Sequence, residues 1–476
     1  VPPMGYKVFD IRSRKCQVKS KLFASIQMLE NEKYKVALNS NGDIQSIFDK
    51  EIKKEILKKP IITGIFDYNG SSSWPAWELN FEELNREPQN KTKIKTIKVI
   101  ENGPCRVALE IVKTFGDSTF TSIVALSNGS KVVEVYTEAE WRSKRHLAKE
   151  VFSFTAESPV ATYDLGLGAI KRGNMNDKLF EVPAQKWADI TDKNEDFGVS
   201  VISECKYGWD KFDDSTLRLT LMHTPYKNYK VDSMQSMMEL GLNRYSYAIF
   251  SHKDSVSHDT QTVARNFVMP MASFLVSKHE GKYTEYSFGL LSGNAVLRAM
   301  KKAENSDEII IRIGESEKCT QKDVTFSLEC EIESAREIYA SEEHIADYPL
   351  TDGKLIFDLK PYEIKSFAIK VKTGEATNKT LTNIPLLGNI EAFSTNAQPT
   401  GNLPVINKSI PKEITPDTIS SGGIEFPIDG KAMLCGGQNL LLPTNTKQVH
   451  LLIASLNGDK HVKINDYAYK IITNFI

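Results

Sequence analysis

The strongest constraint on the fold is the alternation of apolar and polar side chains along residues 105–141. Three consecutive segments there read CRVALEIVKTFGD, STFTSIVALSNGS and KVVEVYTEAEW. Successive side chains of a β-strand point to opposite faces, so each segment can bury one face and expose the other. Gly-Asp and Asn-Gly turns join the segments, and turns of this kind fit the twist of antiparallel strands. The pattern predicts a meander of long antiparallel strands.

Strand patterns continue over most of the chain, whereas helical periodicity is scarce. KYKVALN, SNGD and IQSIFDK at 33–50 predict a hairpin. Residues 259–271 are a helix or an extended crossover, and the pattern does not separate the two. From Tyr283 short strands recur at spacings typical of a small sandwich. Residues 372–423 are rich in Thr, Asn, Pro, Ser and Gly and predict a linker before further strands. We therefore expect an all-β chain with two or three sandwich units.

Composition excludes several classes of function. The 476 residues include 60 basic and 61 acidic side chains, and this balance gives no general attraction to nucleic acid or to an anionic membrane. No apolar run approaches the roughly 20 residues that a membrane helix needs. The six cysteines stand singly, without a CxxC pair, and imply neither a thiolate zinc site nor a disulfide framework. The sequence favours a cytoplasmic over a secreted location.

Two groups of histidines offer candidate sites. His252 and Asp254 have the H-x-D form of a metal site, and His258 follows, but three such groups in a polar stretch are more often a solvated turn. A sugar epimerase would need a His pair and a carboxylate on one concave face, for which His146, His223 and His252 are the candidates. We favour neither site.

Aromatic residues suggest a third kind of site, for carbohydrate. Trp74, Trp77 and Glu78 stand in a long polar excursion, where we favour a plug of a core edge over a sugar platform. Trp187 and Trp209 lie in the stretch 180–225, which holds two strand patterns around a Lys-Tyr-Gly turn. The acidic residues that flank these Trp residues are interpreted as turn and edge residues rather than as a catalytic pair: Asp189, Asp192, Glu204 and Asp210.

The stretch 180–225 resembles the C-terminal half of family-38 glycoside hydrolases, the α-mannosidases. The family pattern is F-E-V-P-A-H-K-W-x-D-L, then G-V-A-x-L-N-x-C-K-Y-G, then L-x-L-x-L-x-R-x-P. This chain reads FEVPAQKWADI, GVSVISECKYG and LRLTLMHTP in the same order and at similar spacing. The similarity extends over nearly the full chain, from LENEKYKVALNSNGDIQSIFDKE to GIEFPI, CGGQNLLLP and LLIASLNGD near the end.

The chain departs from the family pattern at four positions. Gln185 stands where the pattern has the His of A-H-K-W. Glu239 and Asn243 replace the Asp and His of D-x-G-x-H, and His223 replaces the Arg of L-x-R-x-P. If any of these positions contacts substrate in relatives, the specificity of this chain differs from theirs.

The resemblance implies a domain organisation. Residues 29–285 would form a large antiparallel supersandwich of the galactose-mutarotase-like kind. Residues 1–28 would supply strands to a small immunoglobulin-like sandwich at 286–372, and residues 373–476 would form a linker and a terminal sandwich.

The resemblance also implies a function. In the family an N-terminal α/β barrel carries the Asp nucleophile, the acid carboxylate and a zinc ion. We expect this chain to be the C-terminal β portion of a retaining α-mannosidase, without catalytic residues or a metal of its own and inactive alone, with zinc in the catalytic domain. Its partners would be that domain and a mannose-containing oligosaccharide, and a homo-oligomer stays open. The alternative is a complete non-catalytic protein that binds carbohydrate or acts as a scaffold.

The same resemblance suggests which residues reach the sugar cleft. The segment from Arg172 to Trp187 is dense in Arg, Asn, Lys and Trp, and the family pattern begins with an Arg and a short Asn-containing loop. Five substrate-cleft candidates follow: Arg172, Asn174, Gln185, Lys186 and Trp187.

Overall fold

The predicted meander is present in the computed structural model of the chain. β-strands follow one another through residues 93–141 and pair antiparallel with long, regular registers. The structure describes residues 1–12, 20–70, 75, 77–225, 239–276, 279–372, 388, 390–403, 408–421, 424–428, 431–433, 449–453, 460–464 and 467–471. These belong to two compact units, Val1–Gly374 and Glu375–Ile476.

The first part of unit 1 consists almost entirely of strands. They are β1 Gly5–Lys7, β2 Phe23–Ser25, β3 Met28–Glu30, β4 Tyr34–Leu38, β5 Ile44–Asp49, β6 Lys54–Glu55, β7 Leu57–Asp67, β8 Asn90–Lys91, β9 Lys93–Asn102, β10 Arg106–Phe115, β11 Ser118–Ser127, β12 Val133–Trp141, β13 His146–Phe154, β14 Val160–Asp164, β15 Ala169–Gly173, β16 Val182–Pro183, β17 Trp187–Thr191, β18 Phe197–Glu204, β19 Gly208–Asp213, β20 Thr216–Thr224 and β21 Gly241–Lys253. A one-turn helix, α1 Phe81–Leu84, interrupts the excursion between β7 and β8.

Two large antiparallel sheets build the supersandwich. The first sheet has the order β15-β14-β17-β18-β21-β12-β11-β10-β9. The second has the order β16-β19-β20-β13-β7-β5-β4-β3-β2, with β6 beside β5 and β8 beside β7. One core cluster draws buried side chains from both sheets, for example Val107, Leu109 and Val135 from the first and Val36, Ile47 and Phe152 from the second. Sheets that share one apolar core in this way are packed face to face.

A helix covers the outer face of the first sheet. It is α2, His258–Val268, whose N-cap Ser257 accepts a hydrogen bond from the backbone N–H of Asp259. The helix alternative for this segment is therefore confirmed as far as Val268. Ala264 of the helix joins a second core cluster that includes Trp187 and Phe250 of the sheet.

The remaining strands of unit 1 form a small sandwich. They are β22 Glu285–Ser287, β23 Gly289–Leu291, β24 Ala295–Lys302, β25 Ile309–Glu315, β26 Gln321–Leu328, β27 Ile332–Ile338, β28 His344–Tyr348, β29 Leu355–Leu359 and β30 Ile364–Val371. A five-stranded sheet, β24-β25-β30-β27-β28, shares a core cluster with a three-stranded sheet, β23-β26-β29. The all-β prediction is confirmed.

The N-terminal strands divide between these two bodies. β1 pairs with β22 beside the small sandwich, and Met4 packs against the small core. β2 pairs with β3 at the edge of the second large sheet. The segment 1–28 is predicted as a whole to join the small sandwich, but among its described residues β1 lies beside that sandwich and β2 lies in the second large sheet.

Unit 2 is described only in short pieces. They are β31 Ile390–Glu391, β32 Phe393–Ser394, β33 Ile410–Pro411, the 3₁₀ helix Lys412–Ile414, β34 Thr418–Ser421, β35 Ile424–Pro427, β36 Lys431–Ala432, β37 Lys460–Ile464 and β38 Tyr467–Ile471. The predicted linker, 372–423, is described at 372, 388, 390–403 and 408–421, where β31 to β34 and the 3₁₀ helix lie, and its other residues lie outside the described part of the chain. Across the part of the chain that the structure describes, no helix is long and apolar enough to cross a bilayer.

Phe152 joins the two large sheets, and its removal tests the sandwich. Its ring is fully buried and lies edge-on to Tyr247 of the first sheet, with ring centroids 5.1 Å apart. Phe152→Ala should lower the free energy of unfolding by about 3–5 kcal/mol, because it removes buried area and leaves a cavity. Urea unfolding measures the loss. Phe48→Ala, at an exposed position of the second sheet, is the control, and equal losses for both would contradict the packing described.

Candidate functional site

The outer face of the second sheet is covered by two loop excursions rather than by a helix. Leu147 of β13 points to this face, since its neighbour Ala148 belongs to the main core. Leu147 clusters with Phe66 of β7 and with apolar side chains from the excursions at 68–90 and 174–181. These side chains are Tyr68, Leu79, Leu84, Met175 and Phe180. The excursion residues thus form a third layer on the sandwich.

A buried cluster of four charges lies on the same face. Lys149 Nζ is 2.6 Å from Asp210 Oδ2 and 2.5 Å from Glu181 Oε2. Arg218 Nε donates to Asp210 Oδ1 at 2.6 Å. The side chains of Lys149, Asp210 and Arg218 have at most 1% of their surface exposed. Two cations and two anions leave the cluster neutral, and the complete set of partners offsets the desolvation of each charge.

Arg218 ties the sheet to the first excursion. Its Nη1 donates to the backbone carbonyl of Arg86 and its Nη2 to that of Leu84, both at 2.8 Å. Its guanidinium lies over the rings of Phe66 and Phe212, 5.2 and 4.4 Å from their centroids. Arginine suits this place because its planar fork serves several acceptors while its faces stack on rings.

Glu181 connects the second sheet to the second excursion, and its position requires a glycine at residue 208. Its carboxylate accepts hydrogen bonds from Lys149 and from the hydroxyl of Thr220. A Cβ on Gly208 would stand 2.6 Å from Glu181 Oε1, so the Gly of the Lys-Tyr-Gly turn allows this close approach. Glu181 is the member of the charge cluster that reaches solvent, with 17% of its side chain exposed.

Arg172 and Asn174 fasten the second excursion at its start. Arg172 Nη1 donates to the carbonyl of Pro183 at 3.1 Å, and its guanidinium lies 5.3 Å from the centroid of the Tyr163 ring. Asn174 accepts a hydrogen bond from Lys211 Nζ and donates one to Asp214, both at 2.7 Å. Both side chains are half-buried.

Gln185 and Lys186 follow the excursion and share one partner. The backbone N–H of Gln185 donates to the carbonyl of Asp164, and that of Lys186 donates to the Asp164 carboxylate at 3.0 Å. Burial raises the pKa of Asp164, and the charge of Lys186 opposes the rise. The Gln185 side chain is exposed. Arg172 contacts Pro183, which is two residues before Gln185 in sequence. Arg172 and Gln185 therefore lie at the same edge of the sandwich.

Trp187 corrects the proposed set of cleft residues. Its side chain has no exposed surface, because it is enclosed between the first sheet and α2. Since a stacking platform needs an open ring face, Trp187 cannot contact a sugar here. Trp77 was interpreted as a plug of a core edge, but its side chain is 89% exposed, so that interpretation is wrong. Trp74 lies outside the described residues.

Three of the four departures from the family pattern, His223, Glu239 and Asn243, lie together. Glu239 Oε2 accepts a hydrogen bond from the backbone N–H of His223 at 2.5 Å, and its Oε1 lies 3.5 Å from Lys206 Nζ. Asn243 Nδ2 donates to the carbonyl of Glu239 at 2.8 Å. Burial, together with the nearby charge of Lys149, lowers the pKa of His223 to about 4, so its ring is neutral near pH 7. Sequence spacing gave no sign that these positions meet.

His252 is held by a carboxylate instead of a metal. Its Nε2 is 2.8 Å from Asp189 Oδ2, and Asp189 also accepts hydrogen bonds from Ser200 and Thr191 at 2.7 Å. No group of three or more His, Cys, Asp or Glu among the described residues could hold a metal ion. Asp189 and Asp210 are buried within strands, so their interpretation as turn or edge residues is wrong.

The three epimerase candidates do not share a face. His252 lies in the first sheet, whereas His146 and His223 lie on neighbouring strands of the second. The His146 ring meets Phe115 of the first sheet, with centroids 5.1 Å apart, and the His223 ring meets Tyr68 in the outer layer. The described geometry therefore gives no support to an epimerase site.

Comparison with known proteins decides the family. Residues 29–230 match the model of the glycosyl hydrolases family 38 C-terminal domain, and residues 294–367 match that of the family 38 C-terminal beta sandwich domain. The chain carries the C-terminal region of a family-38 glycoside hydrolase. Residues 379–472 match an AziU2-like beta-sandwich domain. The family-38 resemblance is confirmed.

Relatives of this family-38 chain are much longer than it is. It is 25% identical over 309 residues to alpha-mannosidase G of Dictyostelium discoideum, which covers 61% of this chain and 27% of the relative. It is 22% identical over 312 residues to mouse alpha-mannosidase 2C1, which covers 63% of this chain and 29% of the relative. The chain thus spans less than a third of these curated relatives.

A solved structure agrees on the fold. An alpha-mannosidase from Enterococcus faecalis V583 superposes with a TM-score of 0.60 at 15% identity, covering 76% of this chain and 44% of that one. More than half of that structure has no counterpart here.

The charge cluster predicts a large effect of one substitution. Asp210→Asn leaves Lys149 and Arg218 buried with one carboxylate between them, and should lower the free energy of unfolding by about 3–5 kcal/mol. Urea unfolding measures it, with Asp358→Asn as the control because that carboxylate pairs with Lys322 in solvent. A loss for Asp210→Asn as small as that for the control would contradict the role of the cluster.

The His252–Asp189 pair predicts a pH dependence. Burial alone lowers the pKa of His252, but the charge and hydrogen bond of Asp189 raise it above its ordinary 6.5 overall. A raised folded-state pKa stabilises the fold fully below the unfolded value and loses that effect as pH rises through the folded value. Asp189→Asn should therefore destabilise more at pH 5.5 than at pH 8.5, which urea unfolding at both values checks. An equal loss at both values would refute the assignment.

Proposed function

We propose that this chain is the C-terminal portion of a retaining, zinc-dependent α-mannosidase that hydrolyses terminal α-mannosides of glycans. In this proposal the chain supports a catalytic barrel, forms one wall of the sugar cleft and is inactive alone. Its partners are that barrel and a mannose-containing oligosaccharide.

One observation carries the proposal. Two models of C-terminal parts of the same hydrolase family match in sequence order, over 29–230 and 294–367. The relatives named above are alpha-mannosidases of which the matched part is less than a third. A glycosidase needs two carboxylates placed on either side of the scissile bond, and the proposal assigns them to the part of the enzyme beyond this match.

The geometry supports a positioning role for the Arg172 edge. The carbonyl of Pro183 and the ring of Tyr163 hold the half-buried Arg172 guanidinium in one orientation. Among the hydrogen bonds described, it has no carboxylate partner. Five donors in a rigid fork leave Arg172 free to donate to sugar hydroxyls as well. Gln185 stands exposed at the same edge with an amide that can both donate and accept.

Zinc does not fit the residues described here. His252 is engaged by Asp189, and no cluster among the described residues offers three ligands. The proposal therefore assigns zinc to the catalytic barrel, and no step of the chemistry is derived from this chain. What the chain contributes is shape, hydrogen bonds and exclusion of water along one wall.

Arg172→Ala in the complete gene product tests the cleft wall. The loss of one charge-assisted hydrogen bond, about 1.5 kcal/mol, should raise the KM for an α-mannoside roughly tenfold with a smaller change in kcat. Steady-state kinetics with a chromogenic α-mannoside measure it. Lys171→Ala is the matched control, because Lys171 is exposed on the same strand and points to the opposite face. An unchanged KM for Arg172→Ala would remove this edge from the site.

A further inference from the structure

Arg298 of β24 stands at a β-bulge with a buried donor that has no acceptor. In the register between β24 and β25 the residues on either side of Arg298 have partners and Arg298 has none, so it is the extra residue of the bulge. Bulges re-aim a side chain and are over-represented next to active sites. Among the described residues Arg298 Nε has no hydrogen-bond partner, although it is buried. An unsatisfied buried donor of this kind calls for an explanation.

Arg298 lies where the small sandwich meets the supersandwich. A Cβ on Gly314 of β25 would stand 3.3 Å from Arg298 Nε, so the side chain crosses that strand closely. The next residue, Glu315, accepts a hydrogen bond from the backbone N–H of Tyr362 at 2.8 Å. The Tyr362 ring in turn lies against the loop after β14, where a Cβ on Gly168 would stand 3.2 Å from it. These contacts define the junction between the two sandwiches.

Helix α2 brings a second arginine to this junction. His258 Nδ1, at the start of α2, lies 3.6 Å from Glu317 Oε1 in the loop after β25. Arg265 is seven residues further along the helix and therefore lies on the same face as His258. Burial lowers the pKa of Arg298, and the charge of Arg265 lowers it further against the opposing effect of two nearby carboxylates. The two guanidinium groups are therefore close enough to repel each other.

The two nearby carboxylates, Asp164 and Glu315, are engaged by the backbone. Both are buried. Asp164 accepts hydrogen bonds from two backbone N–H groups, one of them that of Lys186, and Glu315 accepts from three. In the part of the chain that the structure describes, neither carboxylate forms an ion pair with Arg265 or Arg298. The guanidinium groups thus keep donors for a further acceptor, and the half-buried Lys186 adds a third cation.

We propose that this junction binds a phosphate group between the guanidinium groups of Arg298 and Arg265, with the Lys186 ammonium nearby. A planar guanidinium fork pairs with two phosphate oxygens at once, and a tetrahedral phosphate has oxygens for more than one fork. Inorganic phosphate and a phosphate carried on a sugar share this chemistry. The inference does not rest on the proposed function, because it assigns no step of mannoside hydrolysis to the junction.

Isothermal titration calorimetry with inorganic phosphate tests the site on the 476-residue chain, with the ionic strength held constant by NaCl. The chain should bind phosphate saturably. Arg298→Gln and Arg265→Gln should each weaken the binding at least about tenfold, because each removes a charge-assisted pair. Arg244→Gln is the matched control and should leave the affinity unchanged, because Arg244 pairs with Glu138 in solvent.

Two further variants separate binding from folding. Arg298→Lys keeps the charge but loses the fork, so it should bind phosphate more weakly than the unmodified chain and more tightly than Arg298→Gln. Arg265 lies on a surface helix, so Arg265→Gln keeps the inference testable if Arg298→Gln does not fold. Urea unfolding without phosphate identifies any variant that is not folded.

The possible results decide both the site and its ligand. No saturable binding by the unmodified chain would overturn the site. Binding that neither glutamine variant weakens would also overturn it, because the phosphate would then lie elsewhere and the arginines would only stabilise the junction. Tighter binding of glucose 6-phosphate than of inorganic phosphate would support the site and assign it to a phosphate carried on a sugar. Equal or weaker binding, lost in the same variants, would support it as a site for free phosphate.

Discussion

The buried ionic contact between Asp210, Lys149 and Arg218 holds the outer layer of loop excursions on the second sheet. Without it the second sheet would present bare charges on its outer face, and the excursions at 68–90 and 174–181 would lose their anchors. Removing any single member leaves an uncompensated charge buried away from water, so the cluster stabilises the fold only when all its members are present. Through this cluster, Arg218 on β20 binds the backbone carbonyls of Leu84 and Arg86, which lie more than 130 residues earlier in the sequence.

The fold could be predicted from the sequence because its signal is local. Alternation along residues 105–141 indicates strands and faces at once, whereas the pattern at 259–271 left helix and crossover open until the structure showed α2. The site could not be predicted in the same way. Trp187 looked like a sugar platform because Trp residues in a dense polar stretch often are, but α2 arrives from 70 residues away and buries it. Asp189 and Asp210 looked like edge residues because His252 and Lys149, which contact them, lie 63 and 61 residues away in sequence.

Three positions at which the sequence departs from the family pattern lie close together in the structure. His223 contacts the carboxylate of Glu239 and Asn243 contacts its backbone carbonyl, so these three of the four departures are neighbours in the structure. Neutral His223 in place of an arginine removes a charge there, and Lys206 supplies one beside Glu239. The group around Glu239 contacts the Lys-Tyr-Gly turn through Lys206. The Arg172 edge contacts the same turn through the backbone hydrogen bond from Ala184 to Tyr207.

The central claim is that this chain serves an α-mannosidase without performing the chemistry itself. The most direct measurement is the hydrolysis of a chromogenic α-mannoside by the purified 476-residue chain and by the complete gene product, each with and without added zinc. The account predicts turnover by the complete gene product and none by the isolated chain under either condition. Measurable turnover by the isolated chain, or none by a folded gene product with zinc, would contradict it.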